Sequence, residues 1–129
     1  MGQPQYLIDT NAAIDYLAGK LPVAGMTFMN GVVDARPQLS IITRIELLGY
    51  PLTGAPAQKL ADFVNDSYIL QLTEDVANEC IALRKAHKIK LPDALIAATA
   101  LVKNLTLLTR NTDDFKNVSG LQLYNPHDL

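Results

Sequence analysis

The most informative segment of the chain is Leu91-Pro92-Asp93-Ala94-Leu95-Ile96-Ala97-Ala98-Thr99-Ala100-Leu101-Val102. Pro92 suits the first turn of a helix, because the N–H that proline lacks would have no partner there. The body from Ala94 to Val102 is apolar on every face of that helix, which predicts a central and buried position. The run is far too short to cross a bilayer. We therefore expect other elements of the same chain to cover it.

Short apolar runs alternate with helical patterns on both sides of this helix. We predict strands at Tyr6–Ile8, Gln38–Ile42, Tyr68–Leu72, Leu105–Thr109 and Leu121–Leu123. The first predicted helix follows Asp9-Thr10-Asn11. Two further helices are predicted over Pro22–Asp34 and Pro56–Val64, and two more begin at Thr43 and at Thr73. This alternation indicates an α/β fold in which a mostly parallel central sheet carries helices on both faces. No repeat or linker divides the chain, so we predict a single domain over residues 1–129.

The composition excludes several classes of protein. Hydrophobic residues make up 49% of the 129 residues, which excludes a disordered chain. A formal net charge of -2 leaves no large basic field to hold nucleic acid by charge alone. The single cysteine, Cys80, excludes an intrachain disulfide and fits a reducing compartment. Because the start Met1–Gln5 has no basic segment, we expect a cytoplasmic protein without a membrane segment.

Polar residues lie at the junctions between the predicted strands and helices. Asp9 ends the first strand, Glu46 lies one turn into the helix after the second strand, and Asp93 lies in the first turn of the buried helix. A further group follows the fourth strand: Asn111, Asp113 and Asp114. In an open parallel sheet, ligands bind outside the carboxyl ends of the strands. We therefore expect these side chains at the ligand-binding edge.

Each of these residues also has a purely structural interpretation. Asp9 or Asn11 is suited to cap a helix, and Thr43-Arg44-Ile45-Glu46 matches a capping box. Asp93 in a first turn complements the helix dipole. Taken together, however, several carboxylates at one edge repel one another unless a cation lies between them. Mg²⁺ or Mn²⁺ suits such oxygen ligands and activates a water for attack on a phosphodiester.

Four stretches resemble the motifs of the PIN-domain nucleases: Leu7-Ile8-Asp9-Thr10-Asn11, Ile42-Thr43-Arg44-Ile45-Glu46-Leu47, Leu91–Ala100 and Leu108–Phe115. Their order and spacing are most similar to the VapC-type toxins of bacterial toxin–antitoxin pairs. The resemblance implies a three-layer α/β/α sandwich and a Mg²⁺- or Mn²⁺-dependent endoribonuclease that leaves a 5′-phosphate and a 3′-hydroxyl. It also implies a homodimer and inhibition by a cognate antitoxin protein.

The resemblance assigns roles position by position. Asp9, Glu46 and Asp93 match the acidic residues that hold the metal. Asn111 falls where many members carry a fourth Asp and others carry Asn, and Asp114 is a candidate to contribute through water. Three more residues are implied to orient these carboxylates: Thr10, Asn11 and Thr109. The departure at Asn111 keeps one alternative function open, an inactive PIN-like domain that binds RNA or protein.

Two regions keep two interpretations each. The basic run Arg84–Lys90 is either a solvated helix end or a patch for the RNA backbone. The predicted helix over Pro22–Asp34, with Met26, Phe28 and Met29, either closes the core or forms a contact surface for a dimer or an antitoxin.

Three isolated residues are not expected to take part in the reaction. We predict that His87 and His127 lie at the surface without an acid–base role. Cys80 lies on the apolar stripe of its predicted helix, and we expect a buried, inert thiol there.

Overall fold

A computed structural model describes residues 5–129 and contains a five-stranded parallel sheet. The strands are β1 (Tyr6–Ile8), β2 (Gln38–Ser40), β3 (Tyr68–Leu70), β4 (Thr106–Leu108) and β5 (Leu123–Tyr124). Their order across the sheet is β3-β2-β1-β4-β5, and each pair of neighbours is parallel. The chain therefore builds outward from β1 on one side and from β4 on the other, which creates a topological switch point between these two strands.

Helices connect the strands and cover both faces of the sheet. They are α1 (Thr10–Leu17), α2 (Val23–Asp34), α3 (Ile41–Leu48), α4 (Gly54–Asn65), α5 (Glu74–Ala86), α6 (Leu91–Lys103) and α7 (Thr112–Phe115). A single 3₁₀ turn, Pro126–Asp128, follows β5 and packs against α2. The α/β class and the parallel sheet predicted from the sequence are confirmed.

The core divides into two apolar clusters, one on each face of the sheet. Leu7 and Leu107 belong to the cluster that contains α5 and α6, whereas Ile8 and Leu108 belong to the cluster that contains α1, α2 and α4. This division follows from the strand period of two, which turns successive side chains to opposite faces. The inward-facing residues of α6 are fully buried, so the central position predicted for this helix is confirmed.

The boundary between β2 and α3 lies two residues before its predicted position. The predicted strand Gln38–Ile42 ends at Ser40, and the helix begins at Ile41 rather than at Thr43. Ser40 caps this helix, because its hydroxyl oxygen accepts the Thr43 backbone N–H at 3.0 Å. An apolar pair of Ile residues resembles a strand, but here it forms the first turn of a helix.

Other predicted strands were too long or displaced. The strand predicted at Tyr68–Leu72 ends at Leu70, and the one predicted at Leu105–Thr109 is confined to Thr106–Leu108. The last strand pairs with β4 at Leu123–Tyr124 rather than at Leu121–Leu123. Strand ends are set by the partner strand, which the local sequence does not contain.

Helix α2 mainly closes the core. Met29 is fully buried in the cluster beside α1, so the proposed contact surface is wrong at this residue. Phe28 packs edge-on against Tyr6, with ring centroids 5.3 Å apart, and also contacts Tyr124. Met29 and Phe28 are therefore packed within the same chain, whereas Val23 at the start of α2 is 84% exposed.

Among residues 5–129, no helix is both long and apolar enough to span a membrane. The expectation that the start of the chain carries no targeting segment concerns Met1–Gln5, of which residues 1–4 lie outside the described residues.

Candidate functional site

The candidate site lies at the carboxyl edge of the sheet, around the switch point between β1 and β4. Asp9 directly follows β1, Thr109 directly follows β4, and Ser40 ends β2. Helix α6 precedes β4 in the chain and runs back across the sheet to the start of that strand. Its own first turn, which contains Asp93, therefore lies at the carboxyl edge. The predicted meeting place of the polar residues is therefore the place where the parallel α/β topology creates a crevice.

Asp9 is the most buried acid of the site, with only 4% of its surface exposed. Its Oδ1 accepts the Thr10 backbone N–H at 2.8 Å. Its Oδ2 accepts the Thr109 hydroxyl at 2.8 Å and the Asn11 side-chain amide at 3.1 Å. The three residues expected to orient the carboxylates thus contact Asp9 or its neighbour Glu46, and they fix the direction in which the Asp9 carboxylate points.

Burial raises the pKa of Asp9 above its ordinary value of 3.8. The hydrogen bonds from Thr109 and Thr10 act in the opposite direction, because they stabilise the ionised carboxylate. The negative charges of Asp93 and Glu46 raise the pKa of Asp9 further. The site thus holds a buried acid whose charge is disfavoured until a positive charge approaches.

Glu46 does not belong to a capping box. Because Ser40 is the capping residue of α3, Glu46 lies beyond the first turn, where no free backbone N–H needs it. Its Oε1 instead accepts the Thr10 hydroxyl at 2.6 Å. The structural interpretation offered by the sequence is wrong here, and the side chain of Glu46 is directed toward the residue that follows Asp9.

Asp93 lies close to the other acids of the site. Partial burial raises its pKa above 3.8, and the charges of Asp114 and Glu46 raise it further. The ammonium of Lys90, one turn earlier, lowers it. Helix α6 has no side-chain cap. The negative charge of Asp93 in its first turn complements the positive end of the helix dipole.

The residues after β4 differ in their placement. Asp114 is exposed and adds negative charge near Asp93, whereas the side chain of Asp113 is 91% exposed and lies 3.9 Å from Lys116. The backbone N–H of Asn111 donates to the Thr109 hydroxyl at 3.0 Å, but its side chain makes no capping hydrogen bond to α7. The structure therefore brings Asp114 to the acidic group, keeps Asp113 in solvent, and attaches Asn111 to the site through its backbone.

The donor set suits a hard divalent cation. All the acidic groups present oxygen ligands, and their mutual charges favour a cation between them. Asp9 Oδ1 accepts one hydrogen bond and therefore retains capacity for a metal, since a carboxylate has about four lone-pair positions and Oδ2 already accepts two. Within the described part of the chain, no three His, Cys, Asp or Glu side chains are already arranged to enclose a metal ion. The acids are therefore neighbours at one edge rather than a closed metal cage.

A second polar group, which the sequence did not predict, lies beside the site. Asp15 is only 4% exposed, and its Oδ2 lies 3.0 Å from Arg110 Nη1 and 2.9 Å from His127 Nε2. His127, with 29% of its side chain exposed, is therefore bound to Asp15 rather than free at the surface, a contact that the sequence did not predict. A signal existed in the sequence, because Asn11 and Asp15 are four residues apart and lie on one face of α1.

Cys80 is buried, as predicted, and burial raises the pKa of its thiol. The basic run Arg84–Lys90 spans the last turn of α5 and the connection that leads into α6, and Arg84, Lys85, Lys88 and Lys90 are exposed there. Its last member is close enough to affect Asp93.

Comparisons with known proteins agree on one family. Residues 6–121 match the model of the PIN domain family. A chain of a toxin–antitoxin complex from Klebsiella pneumoniae is 32% identical with a TM-score of 0.74, and the match covers 95% of this chain and 98% of that chain. FitAcB from Neisseria gonorrhoeae is 26% identical with a TM-score of 0.78, covering 97% and 100%.

VapBC2 from Rickettsia felis, solved with a DNA fragment from its promoter, is 25% identical with a TM-score of 0.76, covering 93% and 97% of the two chains. No curated protein gives a significant match.

Proposed function

The chain belongs to the PIN domain family, and from this premise we propose that it is a metal-dependent endoribonuclease, the toxin of a toxin–antitoxin pair. One observation carries the proposal. Asp9, Glu46, Asp93 and Asp114 come from separate elements, yet their charges act on one another at the carboxyl edge of the sheet. A stable fold needs no such concentration of like charge, so the group points to a bound cation.

We assign roles to the acids from their surroundings. Asp9 and Asp93 hold the cation directly, since both are partly or fully withdrawn from solvent and aligned by their helices. Glu46 completes the set or orients the attacking water, because it is exposed and reaches the site through Thr10. Asn111 and Asp114 follow β4 at the same edge, and we assign Asp114 a role through water because its charge acts on Asp93. When bound, Mg²⁺ or Mn²⁺ polarises a water and neutralises charge on the scissile phosphate.

The hydrogen bonds around Asp9 keep its carboxylate in one orientation. Thr109 and Asn11 donate to Oδ2 and the Thr10 backbone N–H donates to Oδ1, so about one acceptor position of the carboxylate, on Oδ1, is left for a cation. A carboxylate held in this way loses little rotational freedom when it binds a cation. These three residues therefore contribute to the reaction by orientation.

RNA is the proposed substrate class. The chain has no large basic field, so local cations must offset the charge of the acids. Lys90 supports this proposal, because its ammonium lies near Asp93 and is exposed at the same edge. Mg²⁺ is also commonly bound jointly by protein carboxylates and substrate phosphates.

The proposed partner is a cognate antitoxin, because the similar solved structures include toxin–antitoxin complexes. We also propose a homodimer, in line with the family resemblance. A cytoplasmic location fits the single, unpaired cysteine of the described chain. The whole chain would then act as one PIN domain.

Purified protein tests the proposed function directly. We expect cleavage of single-stranded RNA with Mg²⁺ or Mn²⁺, no cleavage after EDTA, and products with a 5′-phosphate. Asp93→Asn should abolish cleavage, because a neutral amide is a poor substitute for an anionic ligand. The matched control is Asp113→Asn, which removes the same charge from a side chain exposed to solvent. Full cleavage in excess chelator would contradict the metal mechanism, and RNA binding without cleavage would support the inactive binding module instead.

A further inference from the structure

Asp15 joins two segments that are distant in the sequence. It lies on α1, its side chain is 5% exposed, and a single oxygen, Oδ2, meets both Arg110 and His127. An ionised carboxylate only accepts hydrogen bonds, so His127 donates through its Nε2–H. Arg110 directly follows Thr109, and His127 belongs to the 3₁₀ turn Pro126–Asp128.

A continuous chain of hydrogen bonds leads from this group to the acidic site. The Arg110 backbone N–H donates to the Asn11 side-chain oxygen at 3.0 Å. The Asn11 side-chain nitrogen donates in turn to Asp9 Oδ2 at 3.1 Å. The Arg110 side chain and backbone are thus held at two points of α1, one turn apart.

The 3₁₀ turn is itself firmly seated. Asn125 accepts the His127 backbone N–H at 2.9 Å, and Pro126 is buried against α2. The helix passes so close to the turn at Gly25 that an added Cβ would collide with the Pro126 carbonyl oxygen. The position of His127 is therefore fixed from its own side as well as by Asp15.

We propose that Asp15 is a positioning residue that uses the C-terminal turn to hold the segment Thr109–Asp114 against Asp9. Thr109, Asn111 and Asp114 all lie in that segment, whose regular secondary structure is limited to the start of the four-residue helix α7. Thr109 is anchored by its N–H on the Tyr124 carbonyl, and the salt bridge to Asp15 and the bond to Asn11 hold the chain at Arg110. For its effect on cleavage, this inference rests on the proposed nuclease function.

The first test measures structure rather than activity. Residue-resolved amide hydrogen exchange is recorded for the full chain and for His127→Ala, in which Asp15 loses one of its two partners. The amides of Arg110 and Asn111, which donate to Asn11 and Thr109, should exchange several-fold faster. His127→Gln should restore protection, because its side-chain amide can donate to Asp15.

A second variant, Gly25→Ala, leaves the side chains of Asp15, Arg110 and His127 in place. Gly25→Ala should displace the 3₁₀ turn and give the same faster exchange at Arg110 and Asn111. Asp128→Ala, an exposed neighbour of His127 in the same turn, is the control and should leave both amides unchanged. Unchanged exchange at these amides in His127→Ala would overturn the inference whether or not the chain cleaves RNA.

The second test separates positioning from substrate contact. With RNA, His127→Ala should lower kcat roughly tenfold with little change in KM, as expected when a group that orients catalytic residues is lost. A raised KM with unchanged kcat would mean that this group contacts RNA, and it would overturn the positioning role. If the wild-type chain cleaves no RNA, the proposed function fails, and the exchange measurement alone decides the inference.

Discussion

Thr10 is the residue that ties two of the acidic side chains together. Its backbone N–H donates to Asp9 Oδ1 at 2.8 Å, and its hydroxyl donates to Glu46 Oε1 at 2.6 Å. The Thr10 hydroxyl also lies 3.1 Å from that of Thr43, which follows the cap of α3. One threonine thus couples the start of α1 to the middle of α3 and sets the distance between a buried and an exposed carboxylate.

Glu46→Gln tests the coupling between Glu46 and Asp9 by removing one negative charge. The amide oxygen still accepts the Thr10 hydroxyl, but the negative charge that raises the pKa of Asp9 and Asp93 is gone. Without metal, the melting temperature should stay equal or rise, because repulsion between the acids is relieved. The stabilisation by Mg²⁺ should shrink, and cleavage should fall at least about 10- to 100-fold.

The measurement is thermal melting with and without Mg²⁺, together with RNA cleavage. Glu79→Gln on α5 is the control, because it removes the same charge from a residue outside the acidic group. Wild-type cleavage and an undiminished Mg²⁺ effect in Glu46→Gln would place Glu46 outside the metal site.

At the scale of elements, the first turn of α3 decides where Glu46 is placed. The cap at Ser40 starts the helix at Ile41, and this start carries Glu46 past the first turn to the side that faces Thr10. A start at Thr43, as the sequence predicted, would have directed Glu46 back to the backbone of its own helix. The position of the cap of α3 therefore decides whether the Glu46 carboxylate caps its own helix or lies at the candidate site.

Ser40→Ala should cost about 1 kcal/mol of stability, because the Thr43 N–H then loses its partner in a buried place. For a domain of this size the melting temperature should fall by roughly 2–8 °C. Thr53→Ala is the matched control: Thr53 occupies the same capping position of α4 but makes no side-chain hydrogen bond there, so its loss should cost less. Equal losses for the two variants, measured by thermal unfolding, would contradict a specific cap at Ser40.

At the scale of the whole molecule, the acidic edge makes stability depend on pH and metal. The pKa values of Asp9 and Asp93 are raised above 3.8 in the folded state, mainly by burial and then by neighbouring charges. The folded state therefore binds more protons than the unfolded state between pH 3.8 and these raised values. Without metal, this contribution to stability is fully present below pH 3.8 and is lost as the pH rises through the folded pKa values.

Asp93→Asn should change this profile in a predictable direction. In EDTA, the variant should gain stability relative to the wild type as the pH rises through this window, because it has one fewer acid to ionise. With saturating Mg²⁺ at neutral pH the order should reverse, since the wild type binds the cation and the variant does so poorly. The measurement is melting temperature against pH in EDTA and in Mg²⁺. Parallel wild-type and variant profiles in EDTA would show that Asp93 carries no such penalty.

Much of the fold and part of the site could be read from local patterns. The apolar body of α6 had to be buried, and alternating strands and helices required a parallel sheet with acids such as Asp9 and Asp93 at its carboxyl edge. These features follow from side-chain periodicity and from short polar stretches at strand ends, which neighbouring residues determine on their own. The motif resemblance added the family.

The tertiary structure decided the contacts between residues that are far apart in sequence. Only folding shows that Ser40 rather than Thr43 caps α3, that Glu46 meets Thr10, and that Met29 is buried. The same holds for the group of Asp15, Arg110 and His127, whose members lie 95 and 112 residues from Asp15. The physical reason is that a buried polar side chain is stabilised by whichever partner the packing brings within about 3 Å, and no local pattern encodes that partner.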